Sequence, residues 1–261
     1  MLEKAYYTYK NTVIRQAGQP THLLVICSIP GSLQNNYKEK ISSGKHFHNV
    51  LCLSEAKGMD IKMGIETAKT QNLLYHLTKL SNLDSIIKNG MLPRRKIIEQ
   101  KIRFGDIADK EIITKRQELG LDGYTPFHFH PYSAFDVAVK NKYQGQDMVY
   151  LCISRKKAQC DKYKILPKHP LSESECQLYN YDEGFEKIDW ETLQEKNRSD
   201  SYAKQVKMAE CLTDKIIFIG EFHCIYVKSE TQKNKVINIL NNNGVNFPLP
   251  NIYVQNVWFN T

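Results

Sequence analysis

The chain has 261 residues, with 36 Lys and Arg against 28 Asp and Glu and a formal charge of +8, a balance that favours polyanionic partners without requiring them. Its length allows one large domain, or a smaller one with an appendage. Seven cysteines without a C-x-x-C pair argue against a disulfide scaffold. Met1–Tyr6 lacks the apolar core of a secretory leader and no apolar run approaches the roughly 20 residues that span a bilayer, so a cytoplasmic protein with no membrane association is expected.

Residues 1–70 hold two apolar runs, His22–Ile29 and Val50–Leu53, separated by the polar stretch Gln34–His48. They read as two strands and a long loop, with Met1–Gln16 and Glu55–Thr70 as candidate helices. From Leu73 the signals sharpen. Leu73–Thr78 reads as a strand, and Ser81 with Asp84 suits a capping box, because a hydroxyl and an acid three positions on satisfy free backbone N–H groups. Leu83, Ile86 and Ile87 share the face of that helix, Gly90 stops it, and Pro93 is expected to keep it from resuming.

Residues 88–103 carry six Lys or Arg and one acid, which reads as a solvated positive face or as a phosphate-binding rim. Tyr124–Phe129 reads as a strand, and Ser133-Ala134-Phe135-Asp136 opens a capped helix reaching about Tyr143. Met148–Ser154 is a strand of β-formers. Leu166–Tyr202 reads as a polar loop with short helices anchored by Trp190. Lys215–Gly220 and Phe222–Lys228 read as two strands or one bent strand; Thr231 caps a helix ended by Gly244, and Ile252–Phe259 closes the chain as a strand. Strands grouped among helices without strict alternation make the fold class α+β.

The candidate chemistry gathers at three places. Glu210, in Met208-Ala209-Glu210-Cys211-Leu212, stands at the start of a late strand, where a carboxylate can stabilise an oxocarbenium-like transition state and orient a nucleophile. His76 and Thr78 are two apart, on one face of an extended segment, and suit ribose hydroxyls and amides. Tyr124 and Phe127, flanking Pro126, are able to stack on a heteroaromatic ring or to pack in the core. The pairs His46/His48 and His128/His130 lack the further ligands of a zinc site, so no metal is expected. Neither a G-x-G-x-x-G motif nor a P-loop is present.

These segments together resemble the DarT family of DNA ADP-ribosyltransferase toxins. Tyr75-His76-Leu77-Thr78 and Asn82-Leu83-Asp84-Ser85-Ile86-Ile87-Lys88-Asn89-Gly90-Met91-Leu92 resemble the family's opening. Tyr124-Thr125-Pro126-Phe127-His128-Phe129 resembles its Y-V-P-F-Y-F segment, Lys207–Leu212 its Q-A-E-F-L run, and Trp258-Phe259 its closing aromatics. The resemblance spans about residues 73–261 and leaves residues 1–70 as an N-terminal extension of open role.

The resemblance implies an ADP-ribosyltransferase-like split two-sheet core with flanking helices, around NAD as co-substrate. Glu210 would be the catalytic carboxylate, and His76 and Thr78, with Asn82 beside them, would hold NAD. The segment Lys187–Lys207 would present the DNA base, with Lys196, Arg198, Lys204 and Lys207 suited to phosphate. An antidote macrodomain protein would be the partner. The family's usual arginine is Tyr132 here, and its arginine-rich stretch is thinner, so Arg103 and Arg116 are both candidates for the catalytic arginine. The acceptor implied is guanosine or thymidine in single-stranded DNA, with a lean toward guanosine. An enzyme of the same fold acting on RNA or protein, and a catalytically silent basic nucleic-acid-binding module, are the competing readings.

Overall fold

The computed structural model describes residues 65–131, 133–169, 176–245 and 249–260. The elements expected before residue 65, and His46 and His48, lie outside them. The described residues fall within a compact unit, Ile61–Thr261. After a 3-10 turn, Ile65–Thr70, come strand β1 (Leu73–Lys79), helices α1 (Leu83–Asn89), α2 (Arg94–Glu99) and α3 (Lys110–Glu118), strand β2 (Thr125–His128), helix α4 (Ala134–Lys142) and strand β3 (Met148–Ser154). Helix α5 (Arg155–Cys160), strands β4 (Lys164–Leu166) and β5 (Tyr179–Asn180), and helices α6 (Tyr181–Lys187), α7 (Trp190–Gln194) and α8 (Ser201–Val206) follow. Strands β6 (Glu210–Thr213) and β7 (Cys224–Val227), helix α9 (Glu230–Asn242) and strand β8 (Asn251–Val254) complete the unit.

The strands join in the order β5-β4-β6-β2-β1-β3-β7-β8. β1 and β3 pair over seven residues, Leu73↔Ser154 through Lys79↔Met148, whereas β1 and β2 meet only at Tyr75↔His128. The sheet is therefore two four-stranded halves hinged at one residue pair, which is how the expected split core is built. Past that pair the C-terminal end of β1 and the N-terminal end of β2 diverge, and a cleft opens between them.

Each face of the sheet has its own core. On one side Leu74, Phe127, Phe129, Ile153 and Cys211 join Leu83, Trp190, Val206 and Val236 from the helices. On the other, Tyr75, Tyr150 and Trp258 meet edge to face, with ring centres 5.5–6.3 Å apart. Each buried side chain of Leu or Phe size contributes roughly 1.5–3 kcal/mol. β3 is apolar throughout because both of its faces are covered; its residues from Met148 to Ile153 are all buried.

Several local expectations are corrected. A 3-10 turn, Leu80–Asn82, leads into α1, so Ser81 lies inside a turn; the residue at the cap is Asn82, whose side chain is used elsewhere. Pro93 does not delay helix formation: α2 starts immediately after it, since a missing N–H costs nothing at a helix start. Ser229, not Thr231, caps α9, accepting from the Gln232 N–H. Lys215–Gly220 forms no strand. Ile217 alone bridges to Met91, and Ile219–Glu221 turns as a 3-10 helix because the Glu221 carboxylate accepts the Phe218 N–H at 2.7 Å. The closing strand ends at Val254, and Asn256–Phe259 curls into a further 3-10 turn.

Other expectations hold. Ser133 and Asp136 form both bonds of a capping box on α4, Gly90 stops α1 at φ 76° and Trp190 anchors the polar stretch.

Candidate active site

The cleft at the divergence is lined by consecutive residues from both strands: His76, Leu77 and Thr78 from β1, and Tyr124, Thr125 and Pro126 around the start of β2. A flat sheet alternates its side chains between faces, so consecutive residues share a cavity only where the sheet has opened. His128 and Glu210 lie opposite each other in the β2/β6 register, point to the same face, and line the cleft together with Arg116 and His169.

Glu210 is buried, and Arg116 of α3 donates to both carboxylate oxygens at 2.9 and 2.8 Å. Burial pushes the Glu210 carboxyl up, but the Arg116 guanidinium, His128 and His169 together outweigh it, so the group lies below the usual carboxylate range. The His76 Nδ1–H donates to the Pro126 carbonyl at 2.8 Å, leaving Nε2 as an acceptor. Burial lowers the His76 pKa to about 4, so the imidazole is neutral at pH 7.

Asn82 acts as a clamp. Its amide nitrogen donates to the Thr78 hydroxyl at 3.1 Å and to the Gly105 carbonyl at 3.0 Å, while its oxygen accepts the Gly105 N–H at 2.6 Å. The segment around Gly105 is thereby fixed over the end of β1. Arg94 secures the next residue, Asp106, and Arg95 pairs with Asp122 at 2.6 Å. Two arginines of the basic stretch 88–103 are thus taken up by internal acids.

Among the described residues, five buried side-chain polar atoms have no hydrogen-bond partner: Arg94 Nε, Arg116 Nη2, Thr125 Oγ1, His128 Nδ1 and Asp136 Oδ1. All but Asp136 belong to residues that line the cleft. Buried polar groups are nearly always paired, so the unpaired Arg116 and Thr125 atoms beside the cleft mark a site that a polar ligand completes. Among the described residues no group of three or more His, Cys, Asp or Glu is placed to hold a metal ion.

The family model for "ssDNA thymidine ADP-ribosyltransferase, DarT" matches residues 75–260. The chain belongs to the DarT family. It is an ADP-ribosyltransferase of single-stranded DNA by that membership. Among solved structures, it is similar to Thermus sp. 2.9 DarT in complex with ADP-ribosylated ssDNA, at 22% identity, TM-score 0.63, 72% of this chain and 95% of that one. The same protein in complex with NAD+ is similar at 20% identity and TM-score 0.59, over 72% and 96% of the two chains. Thermosipho africanus DarTG in complex with ADP-ribose is similar at 19% identity and TM-score 0.58, but the match covers 51% of that longer chain. Comparison with curated protein sequences finds no match.

Within this DarT fold, Glu210, His76, Thr78, Asn82 and Tyr124 converge on the cleft. Of the two candidate arginines, Arg116 is on Glu210, whereas Arg103 is exposed and does not line the cleft. Phe127 is wholly buried and supports the His76 ring at 5.7 Å instead of lining the cleft.

Of the basic side chains before Glu210, Arg198 pairs with Asp200 at 2.7 Å. Lys207 donates to the Arg198 carbonyl, and Lys196 stands 3.9 Å from Glu66. Lys204 is exposed. Sequence reasoning missed His169, which sits in a polar stretch without periodicity. It read His128 only as half of an H-x-H pair, because strand register is invisible in one sequence. Among the described residues no helix is long and apolar enough to cross a membrane.

Proposed function

We propose that Glu210 is the carboxylate that drives transfer of ADP-ribose from NAD to a base of single-stranded DNA. The observation that carries this reading is the buried Glu210–Arg116 pair within a cleft that concentrates unpartnered polar atoms. As the bond between the nicotinamide ribose and nicotinamide breaks, positive charge grows on the ribose, and a desolvated carboxylate held ionised by Arg116 stabilises it. His76, with its acceptor Nε2, and the Thr78 hydroxyl hold the dinucleotide, and Tyr124 offers a stacking face. Asn82 contributes by holding the Gly105 segment, since its own amide is already committed.

The acceptor is thymidine, which the family description names, or guanosine; both carry an N–H that the reaction replaces. Single-stranded DNA offers the base without unpairing cost, and Lys196, Arg198, Lys204 and Lys207 are the basic residues that would follow its backbone. The ADP-ribosyltransferase domain is assigned to residues 71–261, and the partner implied by kinship with DarTG is an antidote macrodomain. Labelled NAD offered with DNA, RNA and protein together tests the reading: label enters DNA alone, and label in RNA or protein alone overturns it.

A further inference from the structure

We infer that His128 and Asp136 form a dyad that takes the proton from the acceptor base, leaving Glu210 to stabilise the ribosyl cation. The inference rests on the reading above and assigns its second half, the fate of the proton, to residues outside the Glu210–Arg116 pair.

The two side chains come from elements that meet on one side of the sheet. His128 ends β2 opposite Glu210, and the first turn of α4 packs beside it, with the His128 and Phe135 rings 6.1 Å apart. Asp136, in the same turn, is 1% exposed. Its Oδ2 accepts the Ser133 N–H at 3.3 Å and its Oδ1 has no partner; the His128 Nδ1 has none either. Two buried polar atoms without partners, on neighbouring groups within electrostatic reach of each other, are complementary: they make no direct bond here, and an Nδ1–H reaches Oδ1 through one water or a small rotation of the ring. That bond fixes the tautomer and leaves Nε2 as the acceptor.

The charges on the two groups support each other. Burial pushes the Asp136 carboxyl up overall, and His128, followed by Lys140 of the same helix, draws it only partly back. A protonated imidazole at His128 thus favours an ionised Asp136. The other groups in reach of His128 are Glu210 on β6, His76 on β1, His130 just past β2 and His169 after β4. Burial pushes His76, His130 and His169 down, which leaves them poor at keeping a proton near neutral pH.

The step balances as follows. The base nitrogen forms a bond to the anomeric carbon of the nicotinamide ribose as the glycosidic bond breaks, and its electron pair leaves on nicotinamide. The proton displaced from the nitrogen passes to His128 Nε2, and the imidazolium is held by Asp136 until it gives the proton to water.

The test is the pH profile of single-turnover transfer to a single-stranded oligonucleotide, with NAD saturating, for wild type, His128→Gln and Asp136→Asn. General-base removal costs about 10²–10⁴-fold. His128→Gln is expected to lose at least a hundredfold at pH 7, with NAD affinity within threefold of wild type and the acid limb abolished. Asp136→Asn removes the carboxyl of the dyad, so the acid limb shifts. A His128→Gln rate within threefold of wild type on an unchanged profile overturns the dyad alone, as does a loss matched by lost NAD affinity. If His128→Gln does not fold, an acid limb unmoved in Asp136→Asn overturns it. A wild-type protein that forms no adduct overturns both the dyad and the reading beneath it.

Discussion

Arg116 donates from a single guanidinium nitrogen to both carboxylate oxygens of Glu210, and both side chains are largely out of water. Removing one partner of such a pair leaves an uncompensated buried charge and costs about 3–5 kcal/mol, whereas removing both charges together costs far less. Arg116→Ala is therefore expected to destabilise the protein by that amount in urea unfolding. Adding Glu210→Gln to it restores most of the loss. If the two changes were simply additive, the pair would not be coupled.

The two-way bond between Asn82 and Gly105 predicts a kinetic effect. Asn82→Ala frees the segment over the cleft while leaving Glu210 untouched. The KM for NAD is expected to rise about tenfold, roughly 1.4 kcal/mol, with kcat changed much less. An equal fall in kcat would mean that Asn82 acts on the reacting atoms.

Burial of two histidines gives a pH signature. His76 and His130 are lowered to about 4 and about 3 by desolvation, so between those values and the unfolded value near 6.5 the unfolded chain binds more protons. Their contribution to stability is present above pH 6.5 and is lost as pH falls toward 4. Each is expected to contribute roughly 1–2 kcal/mol of that loss between pH 7 and pH 5. His76→Gln should flatten the slope, as read from unfolding midpoints across that range.

Gly90 combines a positive φ of 76° with a close approach: a Cβ there would lie 2.4 Å from Ile216 Cγ2. Gly90→Ala is expected to cost about 1–3 kcal/mol from the backbone alone and to lower the melting temperature by roughly 5–10 °C once the clash is included. An unchanged melting temperature would show that the Ile216 loop yields freely.

On the DNA side, Lys204→Ala should weaken single-strand binding and reduce the salt slope by about one phosphate contact. Arg198→Ala is expected to act differently, because its bonds to Asp200 and Thr192 brace the segment itself, so local stability falls as well as affinity.

The long strands were legible because their residues alternate or are apolar throughout: β1 and β3 stand where Leu73–Thr78 and Met148–Ser154 indicate. The Ser133/Asp136 capping box was legible because all of its parts are local. The cap position at Asn82 was not, since its side chain is taken up by the distant Gly105, and Ser229 rather than Thr231 begins the last helix by a choice between two neighbouring hydroxyls that composition does not decide. The segment Lys215–Gly220 has the composition of a strand but only Met91 to pair with. In the site, Glu210, His76 and Thr78 could be named from motif and spacing. The choice of Arg116 over Arg103 follows from α3 packing across the cleft, and the positions of His128 and His169 beside it follow from strand register and loop path, none of which a single sequence contains.

The most direct test of the central claim is mass spectrometry of single-stranded oligonucleotides of defined sequence after incubation with the protein and NAD. Wild type is expected to add one ADP-ribose to a thymidine or a guanosine and release nicotinamide, and Glu210→Ala to add none. An undiminished adduct with Glu210→Ala, or none on any base with wild type, would contradict the account.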